Sequence, residues 1–382
     1  MTQSALPHAA PDVTRLHATV TELAADTYGG RRVGTPGGQA AARWLAQQLT
    51  ELGTTVTTQN FPVAGVRDLY ATPTLRWRDV SMVHRRDFVE HLASADLPEP
   101  RAGTVGVEPE HGQWLLANTV DPDVVAHAHT AGALGVLVPR GVDTEGWMPK
   151  MIAGPPTLAL PILAVRTDLH TRMATERGEV TASMPLREVE VSGTNVHAVL
   201  SEGTPSVLLT AHYDGVGDDP DQRLPAAADN ASGVAVVLEA ARLLMASSTS
   251  IGLAIALLDA EEAGAHGSAH HAPHVPPGTH VINIDGAADL TEAAAVEAGG
   301  PAHTLLAALD QAGRETGVPL RAGAVASDNR RYAATGLPAI GIGMGIPGYQ
   351  TPAETPDRVN PDTLVAATRL LVATVHLLTT HV

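Results

Sequence analysis

The feature that most restricts the fold is an alternation of apolar strand-like runs with amphipathic helical runs, starting near residue 206 and continuing to the carboxyl end. Strands are expected at 206–211, 253–258, 280–284 and 338–342, and helices at 233–245, 303–316 and 361–378. Near-continuous Val, Ile and Leu runs separated by helices imply an α/β fold, with a mostly parallel central sheet covered by helices on both faces. Ahead of this region, Ala41, Trp44, Leu45, Gln48, Leu49 and Leu52 recur at helical spacing after Thr35-Pro36 and before Gly53. That pattern predicts one more amphipathic helix, followed by a strand at 54–58.

Between residues 61 and 188 the texture changes. Short strand-like runs at 103–107, 113–117, 133–138 and 160–165 are separated by Pro- and Gly-containing turns, with one helical pattern at 124–130. The reading is an inserted, mixed α/β apical domain at 61–188. Residues 1–60 and 189–382 are left as the catalytic domain.

Composition then removes several function classes. Lys and Arg number 24 against 41 Asp and Glu, a net charge of −17, and aromatic residues are only 3%. A nucleic-acid partner is not expected, because tracking phosphates needs a basic face and gripping single strands needs aromatic platforms. The same charge disfavours an anionic membrane surface. There are no cysteines, so disulfides, thiolate metal sites and cysteine nucleophiles are excluded. Pro7, Pro11 and Asp12 interrupt the first 20 residues, and no run of about 20 apolar residues is expected to cross a membrane. The expected location is cytoplasmic; the sequence leaves the oligomeric state open.

In parallel α/β sheets, ligands bind beyond the carboxyl ends of the strands, so the residues just after each strand carry the chemistry. The first strand after residue 206 leads into His212-Tyr213-Asp214, the second into Asp259-Ala260-Glu261-Glu262 and the third into Asp285; Asp229-Asn230-Ala231-Ser232-Gly233 forms a polar loop leading into a helix. Carboxylates and an imidazole converging on one rim would repel one another unless a cation neutralises them. A His-plus-carboxylate donor set suits zinc and leaves cobalt or manganese open. In the His-x-Asp spacing, Asp214 can accept the second ring N–H of His212 and set its tautomer.

Taken together, His212-x-Asp214, Asp229-Asn230-x-Ser232-Gly233, Glu261-Glu262, Asp285 and Tyr349-x-Thr351-Pro352 resemble the ordered motifs of the co-catalytic dinuclear zinc aminopeptidases, whose relatives include glutaminyl cyclases and folate-releasing carboxypeptidases. Arg31-Arg32-Val33-Gly34-Thr35-Pro36-Gly37 resembles the family's amino-terminal segment. The stretch from Ala131-Gly132 to Pro161-Ile162 resembles a protease-associated insert. The resemblance implies that His212 and Asp285 hold one metal and that Asp229 bridges to a second held by Glu262. It implies Glu261 as the general base and Tyr349 as the donor to the oxyanion. Two metals about 3.5–4 Å apart can activate water and polarise a carbonyl together.

One departure stands out. The family pattern is Tyr-His-Thr, whereas this chain reads Tyr349-Gln350-Thr351. The last imidazole ligand is replaced by an amide, a poorer donor to zinc. One zinc is expected; the second position is left open between an empty site, a harder cation (magnesium, manganese or calcium), and recruitment of another imidazole.

Other motifs have plainer readings. His266, His270, His271 and His274 are expected on a solvated surface, although one of them could replace the missing ligand. Gly343-Met344-Gly345-Ile346-Pro347-Gly348 matches GxGxxG but opens no helix that could hold a pyrophosphate, so a tight loop is expected. Asn230-Ala231-Ser232 is a sequon only in form, and no GxSxG elbow is present. The expected function is metal-dependent hydrolysis of a peptide or related amide, most simply removal of an amino-terminal residue. The rivals are a specialised single-metal amidase or aminoacyl cyclase/transferase acting on a small metabolite, and a catalytically inactive binding protein. The insert is expected to supply no metal ligand, with His84, His91, His111, His127 and His129 serving packing or surface roles.

Overall fold

The computed structural model describes residues 10–203, 206–247 and 251–380. Residues 1–9, which include Pro7 of the amino-terminal reading, lie outside the described residues. The chain divides into two compact units. The first comprises 1–63, 192–217 and 224–382, and the second comprises 64–191 with 218–223.

The first unit holds one sheet, apart from residues 64–69 and 186–191 of its first two strands, in the spatial order Thr55–Leu69, Leu186–Ser201, Gly252–Leu258, Ser206–His212, His280–Ile284, Ala339–Gly343, Ala294–Gly299, Leu320–Ala322. Its middle is parallel, with Ser206–His212 between Gly252–Leu258 and His280–Ile284, and with Ala339–Gly343 beyond. Antiparallel pairings flank that centre. Successive side chains of a strand point to opposite faces, and both faces are covered. Val207, Leu209 and Ala211 pack with residues of the helices Ser232–Ala246, His303–Thr316 and Pro361–Thr380, whereas Leu208 packs with Ala272, Tyr332 and Leu337. The sheet and helices therefore match the expected α/β class.

Local chemistry explains the helix ends. Thr35 Oγ1 accepts the Gly38 N–H at 3.1 Å and Pro36 opens the helix Pro36–Glu51, while Gly53 comes next in the left-handed region at φ 79°. The helix Pro361–Thr380 corrects one expectation, since its residues 361–379 are long and apolar enough, by length and composition, to cross a membrane. Its apolar content serves the core instead: Leu364, Ala367, Leu370, Leu371, Val375 and Leu378 are buried among the helices and strands of the first unit.

The second unit is also α/β. Its sheet runs Val80–Ser81, Thr74–Trp77, Glu179–Met184, Leu97–Gly106, Gln113–Leu116, Gly135–Arg140, Ile162–Arg166, Phe88–Glu90, and the four strands from Leu97–Gly106 to Ile162–Arg166 are parallel. One face (Trp114, Leu116, Leu137, Leu163) packs with Leu169 and Met173 of helix Thr167–Glu176. The other (Leu115, Val136, Val138, Ile162) packs with Val125 and Ala128 of helix Pro122–Ala131.

Segment 218–223 belongs to this unit because Asp219 is buried there among cations. It accepts from Arg85 Nε at 2.5 Å and Nη2 at 3.0 Å, and Lys150 Nζ lies 3.0 Å away. Removing either charge of such a buried pair would leave the other uncompensated.

Candidate active site

Strand register builds the site. His212 sits opposite Leu258, and Thr210 opposite Asn283, so the carboxyl ends of three adjacent parallel strands lie level. His212, the 259–262 turn and Asp285 consequently emerge at one rim. His212 Nε2 lies 3.1 Å from Asp229 Oδ1 and 3.5 Å from Asp285 Oδ1, and these three residues form a group able to hold a metal, with donor atoms all within 4.8 Å of one another. Glu262 is buried beside them, and Glu261 is half-buried.

The polar atoms facing this point lack partners. His212 Nε2, Asp229 Oδ1, Asp285 Oδ1, Glu262 Oε1 and Gln350 Oε1 are all buried without a hydrogen bond among the described residues. Burial, then the charge of Asp285, holds the Asp229 carboxyl above its usual range; burial, then Asp229 and Glu261, does the same to Glu262. Glu261 is pushed well up, chiefly by burial, with Asp285, Asp328 and Asp229 adding to it. Burial works against a charge on His212, yet the facing carboxylates, Asp285 first, raise it well above its ordinary value. Each of these is the response of a buried anionic cluster that a cation would relieve, so the residues present fit a metal.

The support around these groups is dense. Asn230 Oδ1 accepts from Gly233 N at 2.9 Å and Gly286 N at 3.0 Å, and its Nδ2 donates to Ile284 O at 2.8 Å, which ties the Asp229 loop to the Asp285 loop. A side chain at Gly233 would meet Asn230 Oδ1 at 2.2 Å, which explains the glycine. With Asn230 fully buried, the sequon is internal. Arg31, also buried, donates to the carbonyls of Leu23, Tyr213, Pro225 and Ala226, bracing both ends of the segment between His212 and Asp229.

Three expectations about individual residues change in detail. The Asp214 carboxylate does not take the His212 ring N–H as its main bond. His212 Nδ1 bonds the Asp214 backbone carbonyl at 3.2 Å and lies 3.5 Å from its Oδ1, while the carboxylate accepts the N–H groups of Glu261 at 3.0 Å and Glu262 at 3.1 Å. Two backbone donors at the turn outcompete one ring donor. Gln350 engages the neighbouring carboxylate as well as offering an oxygen: its Nε2 donates to Glu262 Oε2 at 2.5 Å, while its Oε1 has no hydrogen bond among the described residues. The segment after Glu262 is not wholly solvated either, because His271 is buried with Nδ1 2.9 Å from the Tyr332 hydroxyl.

His270 stacks on Phe61, and among the described residues no histidine of that segment joins the group of His212, Asp229 and Asp285. Tyr349 is 41% exposed, and its hydroxyl has no hydrogen-bond partner among the described residues. The loop after Ala339–Gly343 leads into turns, not a helix, as expected. A second group of three, His84, Asp219 and Asp221, lies in the second unit, but Arg85 and Lys150 already neutralise Asp219 there.

Sequence reasoning missed two acidic residues. Glu354 is buried, its Oε1 accepting from Ala228 N at 3.0 Å and Asp229 N at 2.6 Å and its Oε2 from Gln350 N at 2.7 Å. It fastens the Asp229 loop to the Gln350 loop, and holds Gln350 in the left-handed region at φ 52°. In the sequence, Thr351-Pro352-Ala353-Glu354 reads as an exposed turn. Asp328 is fully buried near the site, and burial drives its carboxyl up to about 7. A carboxylate after Ser327 in a polar run carries no signal of burial.

Residues 195–375 match the model described as Peptidase family M28, and the matched span contains the whole donor set. These residues belong to peptidase family M28. That match agrees with the family resemblance read from the motifs and supports a metallopeptidase-type hydrolase as the reading of the chain. Its fold is shared with the zinc aminopeptidase BSAP from Bacillus subtilis, at 19% identity and a TM-score of 0.73, covering 96% of this chain and 94% of that one. An aminopeptidase from Aneurinibacillus sp. strain AM-1 is similar at 19% identity and a TM-score of 0.71, with 96% and 94% coverage. A glutaminyl cyclase from Bacteroides thetaiotaomicron shares the fold more distantly, at 15% identity and a TM-score of 0.52, covering 97% and 99%. No curated protein matches this chain in sequence.

Proposed function

We propose that this chain is an aminopeptidase working with one firmly held zinc ion, bound by His212, Asp229 and Asp285. The observation that carries the reading is the convergence of unpartnered His212 Nε2, Asp229 Oδ1 and Asp285 Oδ1 beside Glu261, within the segment that matches the family. Zinc bound there supplies Lewis acidity and makes water more acidic.

Glu261 takes the proton from the attacking water and returns it to the leaving amine. Burial among carboxylates raises its pKa above the usual carboxylate range, which makes it a stronger base than an exposed glutamate. Tyr349, exposed and with no partner for its hydroxyl among the described residues, donates a hydrogen bond to the oxygen that gains charge as the amide carbonyl is attacked. Glu262 is left to meet the substrate's free α-amine, since the Gln350 amide engages only its Oε2 and leaves Oε1 unpartnered. The second unit contributes no ligand on this reading.

The contact between Gln350 and Glu262 also favours a second reading, a specialised single-metal amidase or cyclase on one small metabolite. Metal content per chain, measured with turnover of a panel of aminoacyl-p-nitroanilides, acyl peptides and glutaminyl peptides, separates the two. Turnover of several aminoacyl reporters that is lost on chelation and restored by zinc supports the aminopeptidase. Indifference to all of them, with activity on one amide only, overturns it.

A further inference from the structure

A cavity of about 510 Å³ lies wholly within the second unit, at the carboxyl ends of its parallel strands Gln113–Leu116 and Gly135–Arg140. Crevices at that end of a parallel sheet are where α/β folds bind ligands. Arg140, the last residue of its strand, lines the cavity half-buried. Its Nη2 donates to the Pro149 carbonyl at 2.7 Å, and among the described residues no carboxylate pairs with it.

The acidic residue in the same wall, Glu90, is engaged elsewhere, accepting from Arg85 Nη2 at 2.8 Å with His84 Nε2 at 3.5 Å. Burial disfavours the charge on Arg140, and nearby Arg85 opposes the help that Glu90 gives. Arg140 is therefore a partly desolvated cation whose counter-charge is committed to another partner.

The rest of the wall offers donors above an apolar floor. His91 Nδ1 accepts the Ala93 N–H at 3.2 Å, which leaves the ring proton on Nε2 as a donor. Burial, reinforced by Arg140, lowers the His91 pKa and keeps the ring neutral. The Asn118 amide and Thr119 hydroxyl are exposed and carry no side-chain hydrogen bond among the described residues. Leu92 and Met151 supply apolar surface.

We propose that this cavity is a ligand site for a small amphipathic carboxylate, such as an N-acylated apolar amino acid or the acid end of a short peptide. The guanidinium of Arg140 grips the carboxylate and the apolar body lies on Leu92 and Met151. A planar guanidinium matches a carboxylate in two parallel bonds, and one arginine neutralises one such charge. The site takes no ligand from the metal centre and does not depend on the aminopeptidase reading.

Calorimetric titration of the full chain, stripped of metal by chelation, with N-acetyl-leucine and with N-acetyl-leucinamide tests it. The acid should bind and the amide bind at least about tenfold more weakly, the scale of one charge-assisted contact. Arg140→Gln should weaken the acid by a similar factor, and Arg140→Lys should restore part of it. Met151→Trp, at a residue 38% exposed, should block the cavity without touching the charge, and decides the matter if Arg140→Gln fails to fold. Absence of binding by the acid, equal binding of acid and amide, or acid binding unchanged in Arg140→Gln or, where that variant does not fold, in Met151→Trp, overturns the proposal.

Discussion

Gln350 Nε2 donates to Glu262 Oε2 at 2.5 Å, so the amide standing where the family pattern has histidine binds a carboxylate as a hydrogen-bond donor. An imidazole nitrogen is a stronger donor to zinc than a neutral amide oxygen, and the hydrogen bond from this amide occupies one oxygen of the Glu262 carboxylate. Gln350→His should therefore raise bound zinc from about one toward two per chain. Metal analysis after mild chelation checks it; two tightly held zinc ions in the natural protein, unchanged in the variant, would show that Glu262 is a ligand despite the contact.

Glu261→Gln keeps shape and removes basicity. Activity on an aminoacyl reporter should fall by at least roughly 100-fold, the scale of a lost general base, with metal content near that of the parent. Loss of most of the metal would instead mark Glu261 as a ligand.

Glu354→Ala would leave the N–H groups of Ala228, Asp229 and Gln350 without their acceptor. A buried polar group left unpaired costs about 1–3 kcal/mol, so the variant should melt lower and hold metal more weakly, while Glu354→Gln, which keeps one oxygen, should lose less. Unchanged melting and metal affinity in Glu354→Ala would refute the fastening role.

His271 gives stability a pH dependence. Burial, with help from the neighbouring histidines His197, His274 and His270, pushes its pKa down to about 4 from an ordinary 6.5. Above about pH 6.5 neither folded nor unfolded chain protonates this ring, and its contribution is constant. Between 6.5 and 4 the unfolded chain binds a proton that the folded chain does not, so stability falls as pH falls, by up to about 1.4 kcal/mol per unit from this group. His271→Gln retains an acceptor for Tyr332 and cannot titrate in this range. Denaturant midpoints between pH 7 and 4.5 should fall less steeply in the variant; parallel slopes would assign the acid sensitivity elsewhere.

Much of the site was legible because its chemistry lies at the ends of elements that periodicity can find. His280–Ile284 and His303–Thr316 fall where their patterns place them, and His212, Glu261 and Asp285 come after strands whose apolar runs are unmistakable. Glu354 and Asp328 were not legible, because burial of a carboxylate in a polar stretch depends on what packs over it. The same is true of segment 218–223, which joins the second unit through Asp219 and its pairing with Arg85, 134 residues away in sequence.

The sequence alone determined the layered α/β class, the absence of cysteine chemistry and the acidic, imidazole-bearing rim, since these arise from local periodicity and from which side chains exist. Only the tertiary structure decided which way the Gln350 amide points, which carboxylate braces the loops and that Arg140, at the wall of the second unit's cavity, pairs with no carboxylate among the described residues. Those outcomes depend on distances between residues far apart in the chain. At a few ångströms in a buried setting, the competition among donors for each acceptor, and not residue type, selects the bond that forms.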